Sequence, residues 1–333
     1  METRILEQLK NLYRTGFPED SESVVSAFFS RVVPENAAYV LADGKICSAG
    51  YIMEKPSVVF GKKEVLPYLS ALSTHTHYRG QRKIKTVISE LLSRLFERGA
   101  YVCALYPFDH FFYKRYGFSN VSFCAEKIIA GRENYAETVY MPDTEIPTAL
   151  LKKIVQLETA FKNGFDNYLI FGEQEVVGKI KEFFLEGLPL RIYSDENGVF
   201  AYCFTQNRRI YHYATSDLKK FASCKCLAEY TYFDFCTSAT PYLQARIVNA
   251  KRALCAAPYA VDFNKTVRLH IMDGLMQENN ITVEIKVKNG KAEVTTVDGI
   301  FDLTLDISEL TTLLLEGDGN MIKKQKNLFT DQY

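Results

Sequence analysis

Residues 84–99 constrain the fold of this 333-residue chain more than any other stretch. Ile84, Val87, Ile88, Leu91, Leu92, Leu95 and Phe96 recur at spacings of three and four, which places them on one face of a helix. Arg98 falls in its last turn and Gly99 supplies a left-handed stop. Runs that read as strands lie on either side, VLPYLSALST at 65–74 and YVCALY at 101–106. Pro107 interrupts the second run. Asp109 can cap a short helix that reaches about Tyr116 before Gly117, and SNVSFCAEKII reads as a further strand. Strand, helix, strand, short helix, strand is an α/β unit, so the expected fold class is mixed α/β (α+β).

The same patterning extends outward. Residues 3–17 and 20–31 read as helices, and AAYVLADGKICSAGYIM reads as two strands turned at Asp43-Gly44. Residues 131–148 are polar with two prolines, an expected linker, and 149–162 and 173–186 read as helices. Four or five strand-like runs between 189 and 236 complete a second α/β region. A third region opens at Pro241, with 242–254 expected as a helix. Four period-two runs with Asn-Gly and Asp-Gly turns follow, expected as an antiparallel meander, then a helix at 307–315 and a polar tail to Tyr333. This length accommodates two or three domains, with expected boundaries 1–130, 131–240 and 241–333.

Forty Lys+Arg balance forty Asp+Glu, and 47% of residues are hydrophobic. Whole-chain disorder is excluded by that composition. A nucleic-acid partner bound through bulk positive charge is not expected. No apolar run approaches the ~20 residues that span a bilayer, and Met1 to Asn11 reads as a charged amphipathic helix rather than a secretory signal. A cytoplasmic protein without a membrane partner is therefore expected. The eight cysteines are scattered and read as buried thiols. Cys224 and Cys226 lack a second ligand pair, and His75 and His77, at strand spacing, would share a face without a carboxylate or thiol nearby. No metal is expected.

The chemistry-bearing segment is 70–118. A strand runs into Tyr78-Arg79-Gly80-Gln81 and then into the strong helix. Backbone N–H groups at a helix start, flanked by Arg79, Arg82, Lys83 and Lys85, suit a pyrophosphate. A solvated, charged helix end accounts for the same residues equally well.

The strand, the Tyr-Arg-Gly turn, the helix ending in Glu-Arg-Gly and the later Phe-Tyr-Lys-Arg-Tyr-Gly-Phe resemble motif A and the following signature of the GNAT acetyltransferases. The whole chain resembles their enhanced-intracellular-survival (Eis) branch. That branch has an N-terminal GNAT domain, a degenerate second GNAT-like domain and a C-terminal sterol-carrier-like domain. PYLQARIVNAKRAL, RLHIMDGLMQENNITVEI and LTLDISELTTLLLEG resemble the last of these.

The resemblance implies an acetyl-CoA-dependent N-acetyltransferase acting on a small-molecule or peptide amine by a sequential mechanism. It places the pantetheine arm beside Leu72, Ser73 and Thr74, and the pyrophosphate on Arg79, Gly80, Gln81, Arg82, Lys83 and Ile84. Phe108 and Asp109 would lie near the pantetheine end, although Asp109 also reads as a plain N-cap. Tyr113 would be the general acid, or else a core aromatic. The terminal carboxylate of Tyr333 would be the base, with Asp331 a second carboxylate nearby, against the default of a frayed tail. Phe17, Glu19 and Asp20 would line the amine side, where Glu19 and Asp20 could equally cap the second helix. Homo-oligomers, in relatives often hexamers, are implied as well. The sequence departs from the motif where Arg82 replaces the expected glycine, Ile84 replaces a small residue, and Thr74-His75-Thr76-His77 lacks a proline. The Eis branch tolerates an aliphatic residue at the Ile84 place; Arg82 in place of glycine is the feature that fits a different class of function, a catalytically degenerate GNAT-like protein that binds a ligand or partner.

Overall fold

The computed structural model describes residues 3–128, 135–206, 209–224, 229–232 and 240–328. They divide into two compact units. Unit 1 comprises Met1–Lys55, Val65–Val121 and Leu243–Lys324; unit 2 comprises Pro56–Glu64, Ser122–Tyr242 and Gln325–Tyr333. Among the described residues no helix is long and apolar enough to cross a membrane.

In unit 1, α1 (Thr3–Gly16) and α2 (Glu22–Phe29) bury Leu9, Leu12, Val25 and Phe29 against Tyr51 of the sheet. β1 (Ala37–Ala42) and β2 (Lys45–Val59) form an antiparallel hairpin on Asp43-Gly44, both at positive φ, as a two-residue hairpin turn requires. β3 (Lys62–Thr74) lies next to β2. α3 (Lys83–Glu97) carries the chain back to β4 (Val102–Leu105), parallel to β3. Its apolar face, Val87, Ile88, Leu91, Leu92 and Leu95, is buried as the spacing requires. α4 (His110–Lys114) and β5 (Ser119–Ile128) follow.

Unit 2 is built on an antiparallel sheet of order β10-β9-β8-β6, formed by β6 (Ala136–Tyr140), β8 (Leu190–Asp195), β9 (Gly198–Gln206) and β10 (Arg209–Thr215). α5 (Thr148–Lys162) and α6 (Glu173–Leu185) pack on it through Ile154, Leu157, Ile180 and Phe183. Between them β7 (Asn167–Leu169) pairs with Ser57 and Val58 of β2. α7 (Leu218–Ala222) and β11 (Glu229–Tyr232), which pairs with the end of β5, complete the middle of the chain. Residues 136–140 were expected within a linker; they are instead β6, registered against β8. Four of its five residues are exposed, so no alternation marked it in the sequence.

A polar cluster lies inside unit 2. His212 Nε2 is 3.0 Å from both Glu158 Oε1 and the Tyr202 hydroxyl. Lys162 Nζ is 3.6 Å from Glu158 Oε1 and 3.2 Å from the centroid of Phe171, which Lys179 Nζ approaches at 4.5 Å. All five polar side chains are buried.

The rest of unit 1 begins with β12 (Thr240–Ile247), whose residues 244–247 pair antiparallel with β4. Its sequence was expected to open a helix spanning 242–254. The helix, α8 (Ala250–Ala256), starts only after Asn249, whose side chain caps it by accepting from Arg252 N–H. Residues 243–248 are buried throughout, so a place in the sheet beside β4 overrides their helical spacing. β13 (Thr266–Met272), β14 (Ile281–Lys288) and β15 (Lys291–Thr296) are consecutive antiparallel neighbours. β16 (Leu303–Asp306) is not the fourth strand of a meander: it crosses to the far side and pairs parallel with β13. α9 (Ile307–Glu316) follows on an Asp306/Glu309 capping box. The tail is not frayed over its described part. Met321 and Ile322 are buried, and β17 (Asn327–Leu328) pairs with β7 in unit 2.

Candidate active site

The sheet of unit 1 opens where β3 and β4 part. Their registered pairing is the single position Tyr68–Ala104, and β4 ends one residue later. Three residues past Tyr68, Ala71 adopts φ 48°, a left-handed conformation that costs an L-residue about 1–2 kcal/mol. The main chain of Ala71–Thr74 therefore runs past the end of β4 and lines one side of the wedge beyond it, with no β4 residue registered against it. Its other edge is held: Ser48 Oγ donates to the Ser73 carbonyl at 3.1 Å and lies 2.8 Å from Thr74 Oγ1.

Past Thr74 the chain makes a short 3-10 turn at Thr76–Tyr78 and enters α3 through Arg79–Arg82. The histidines do not share a strand face as expected, because β3 has already ended. His75 caps the turn, accepting at Nδ1 from His77 N–H (3.4 Å). Tyr78 donates to Asp43 (3.1 Å), Arg79 Nε to the Thr74 carbonyl (3.2 Å) and Gln81 to the His77 carbonyl (3.2 Å), so the turn is held by its own side chains. Gly80 (φ 77°) and Arg82 (φ 58°) are both left-handed. Arg82 stands at the N-cap of α3, and no side chain caps the helix. The first N–H groups of a 15-residue helix are thus open beside Arg79, Arg82 and Lys83, an electropositive end suited to an anion. The Arg82 side chain is exposed, while Ile84 turns inward against the core.

Tyr113 belongs to that same core, as does Leu72. It is buried, with its ring edge-to-face against Phe108 (5.7 Å), Phe112 (5.0 Å) and Phe118 (6.1 Å). Burial raises its pKa, so the phenol stays protonated at neutral pH. Asp109 Oδ1 accepts from Phe111 and Phe112 N–H at 2.8 and 3.2 Å, which commits that carboxylate to capping α4. Phe108 is 75% exposed.

The amine-side residues sit close by. Gly16 lies so near Ser73 that a Cβ on it would be 3.0 Å from Ser73 Cβ, so the loop after α1 adjoins the wedge. Phe17 packs against Tyr13 in a tilted ring pair at 4.8 Å, and Asp20 accepts from the Tyr13 hydroxyl at 2.7 Å. Neither acidic residue caps α2; Ser21 does. Glu19 is exposed and has no bonded partner among the described residues. Asp331 and Tyr333 lie outside the described residues. Sequence reasoning missed Ala71, whose side chain carries no signal for a positive φ, and Ser48.

Residues 1–121 match the model of the acetyltransferase (GNAT) domain, and residues 250–319 that of the sterol carrier protein domain. Residues 1–121 thus form a GNAT domain, a class that transfers acyl groups from acyl-CoA, and residues 250–319 a sterol-carrier-like domain. Among solved structures it is similar to Eis1 from Mycobacterium abscessus, at 10% identity and a TM-score of 0.72 over 100% of this chain and 98% of that one. It is similar as well to a probable N-acyltransferase of unknown function from Enterococcus faecalis (16% identity, TM-score 0.81, 100% and 98% covered). A GCN5-related N-acetyltransferase from Anabaena variabilis gives 17% identity and a TM-score of 0.76 with the same coverage. At these identities the likeness is one of fold. No curated protein matches the chain in sequence.

Proposed function

We propose that this chain transfers the acetyl group of acetyl-CoA to an amine nitrogen. One observation carries the reading: a kinked strand edge at Ala71–Thr74 is followed, after one short turn, by the uncapped, basic start of α3. An acyl-pantetheine laid along the first would deliver its pyrophosphate to the second. Main-chain N–H groups near Leu72 would polarise the thioester carbonyl. The amine nitrogen attacks the carbonyl carbon, the C–S bond breaks, and the departing thiolate takes the phenolic proton of Tyr113. The acceptor enters past Phe17, Glu19 and Asp20, where the exposed carboxylate of Glu19 favours a cationic amine. Its proton goes to the carboxylates of the 331–333 segment.

The test is calorimetric titration with acetyl-CoA, followed by thiol release with a panel of spermidine, kanamycin and a lysine peptide. Saturable binding and turnover of one of these amines are expected. Removing Asp331 to Tyr333 is expected to abolish turnover with binding unchanged. Saturable binding without turnover of any amine would favour the non-catalytic, ligand-binding alternative; no binding at millimolar acetyl-CoA would end both acyl-CoA readings.

Arg82 gives a sharper result. Arg82→Gly is expected to raise stability by up to about 1 kcal/mol, since glycine adopts φ 58° without strain. The same change removes a cation from the helix start and should weaken acetyl-CoA binding by about two- to five-fold. Tighter binding would mean that the guanidinium obstructs the pyrophosphate.

A further inference from the structure

α4 has five residues, too few for a helix to hold without tertiary support. Its support comes from β12. Gln244 and Arg246 are two residues apart, so their side chains leave the same face of that strand, and both are buried. Gln244 Nε2 donates to the carbonyl of His110, the first residue of α4, at 3.0 Å, and to Asn120 Oδ1 at 2.9 Å. Asn120 Oδ1 is itself 2.9 Å from His110 Nδ1. Arg246 donates through Nη1 to the Tyr116 carbonyl, just past the end of α4, and through Nη2 to Asp273.

The far end of this clamp is built in. Asp273 Oδ1 accepts from the N–H groups of Leu275 (2.9 Å) and Met276 (3.1 Å), and Oδ2 accepts from Asn279 Nδ2 (2.9 Å). Burial opposes ionisation of Asp273, but the charge and hydrogen bond of Arg246 hold its pKa below the usual range, so the pair is ionic. Gly117 (φ 80°) is where the guanidinium comes in: a Cβ there would overlap Arg246 Nη1 and Ile307 Cγ2. A cation at a helix C-terminus also meets its open carbonyls and favourable dipole. Tyr113 lies between the two grips.

We propose that Gln244 and Arg246 are positioning residues for acyl transfer: they fix both ends of α4 and through it the Tyr113 hydroxyl. The proposal rests on the reading of Tyr113 as the general acid.

The test uses Gln244→Met, which keeps the side-chain length but removes the donor, and measures acetyl-CoA turnover with the best amine of the panel. A fall in kcat of about ten-fold or more with KM for acetyl-CoA held within about two-fold is expected. In a Tyr113→Phe background the same change should cost nothing further, because the group being positioned is gone. Arg246→Lys, which keeps the charge, should retain more turnover than Arg246→Met. Unchanged kcat in Gln244→Met, or an equal loss in the Tyr113→Phe background, would overturn the proposal. Hydrogen exchange keeps the clamp testable apart from the chemistry. The peptide covering 106–118 should exchange at least about ten-fold faster in Gln244→Met, and unchanged exchange would overturn the clamp. Full turnover by Tyr113→Phe alone would overturn the general-acid reading, and with it the positioning role, leaving the exchange result to report on the clamp as a structural feature.

Discussion

Tyr113→Phe is expected to lower kcat by about 10²–10⁴-fold, the range a positioned general acid contributes, while leaving the affinity for acetyl-CoA unchanged. The two effects separate because of where the side chain sits. Its ring makes the packing contacts, against Phe108, Phe112 and Phe118, and phenylalanine keeps all of them. Its hydroxyl has no hydrogen-bond partner among the described residues, so removing it strands no buried group, and folding stability should shift by less than about 1 kcal/mol. A purely packing role predicts the reverse, with turnover retained. The raised pKa adds a second signature. The phenol remains protonated through neutral and mildly alkaline pH, so kcat should show no loss assignable to its ionisation below about pH 10. Steady-state kinetics over pH, with calorimetric binding of acetyl-CoA, distinguishes the two roles. Turnover within about three-fold of the parent would remove Tyr113 from the mechanism.

The parts of this site that are legible in the sequence are those set by local rules. The apolar stripe of α3, the Asp43-Gly44 turn, the Asp109 cap and the glycine after Tyr116 each act within a few residues, and each lies where its spacing puts it. What the sequence hid depends on distant partners. Residues 242–254 carry helical spacing, yet β4 needs a neighbour, and Gln244–Ile247 supply it. The cue was Asn249, a good helix N-cap directly after the Ile247-Val248 pair, which favours a strand. The parallel placement of β16 is a crossover that no hairpin signal encodes. Ala71 and Arg82 take backbone conformations against their own preference, so local propensity points away from the two positions that shape the proposed cofactor groove. The role of β12 follows the same logic: Gln244 and Arg246 look like ordinary polar positions of an amphipathic helix until the strand puts them together on α4.

The interior of unit 2 should respond just as strongly to a single change, in stability. Glu158→Gln keeps shape but removes the carboxylate that Lys162 and His212 share in a cluster that also holds Lys179. Breaking a buried ion pair from one side costs about 3–5 kcal/mol, because the remaining charge is left without compensation. Hydrogen exchange over α5 and β10 measures that loss without assuming that the two units unfold together. The pH dependence gives the cause. Burial, helped by the charge of Lys179, lowers the pKa of His212 from 6.5 to about 4 in spite of Glu158. Between these values the unfolded chain binds a proton that the folded one does not, so stability falls as pH drops from about 6.5 to about 4, by roughly 3 kcal/mol. Burial likewise holds Lys162 down to about 8, with Glu158 opposing it. From there to about 10.5 the unfolded chain again holds the extra proton, so stability rises with pH across that window. Once Glu158 is gone, Lys162 loses the charge that opposes its burial, so its pKa falls further and its strain is relieved by losing its proton. The deficit of Glu158→Gln should therefore be largest near neutral pH and shrink toward pH 10. A deficit that stays constant from pH 7 to pH 10 would mean that the cluster is held by packing and hydrogen bonds, with its charges contributing nothing.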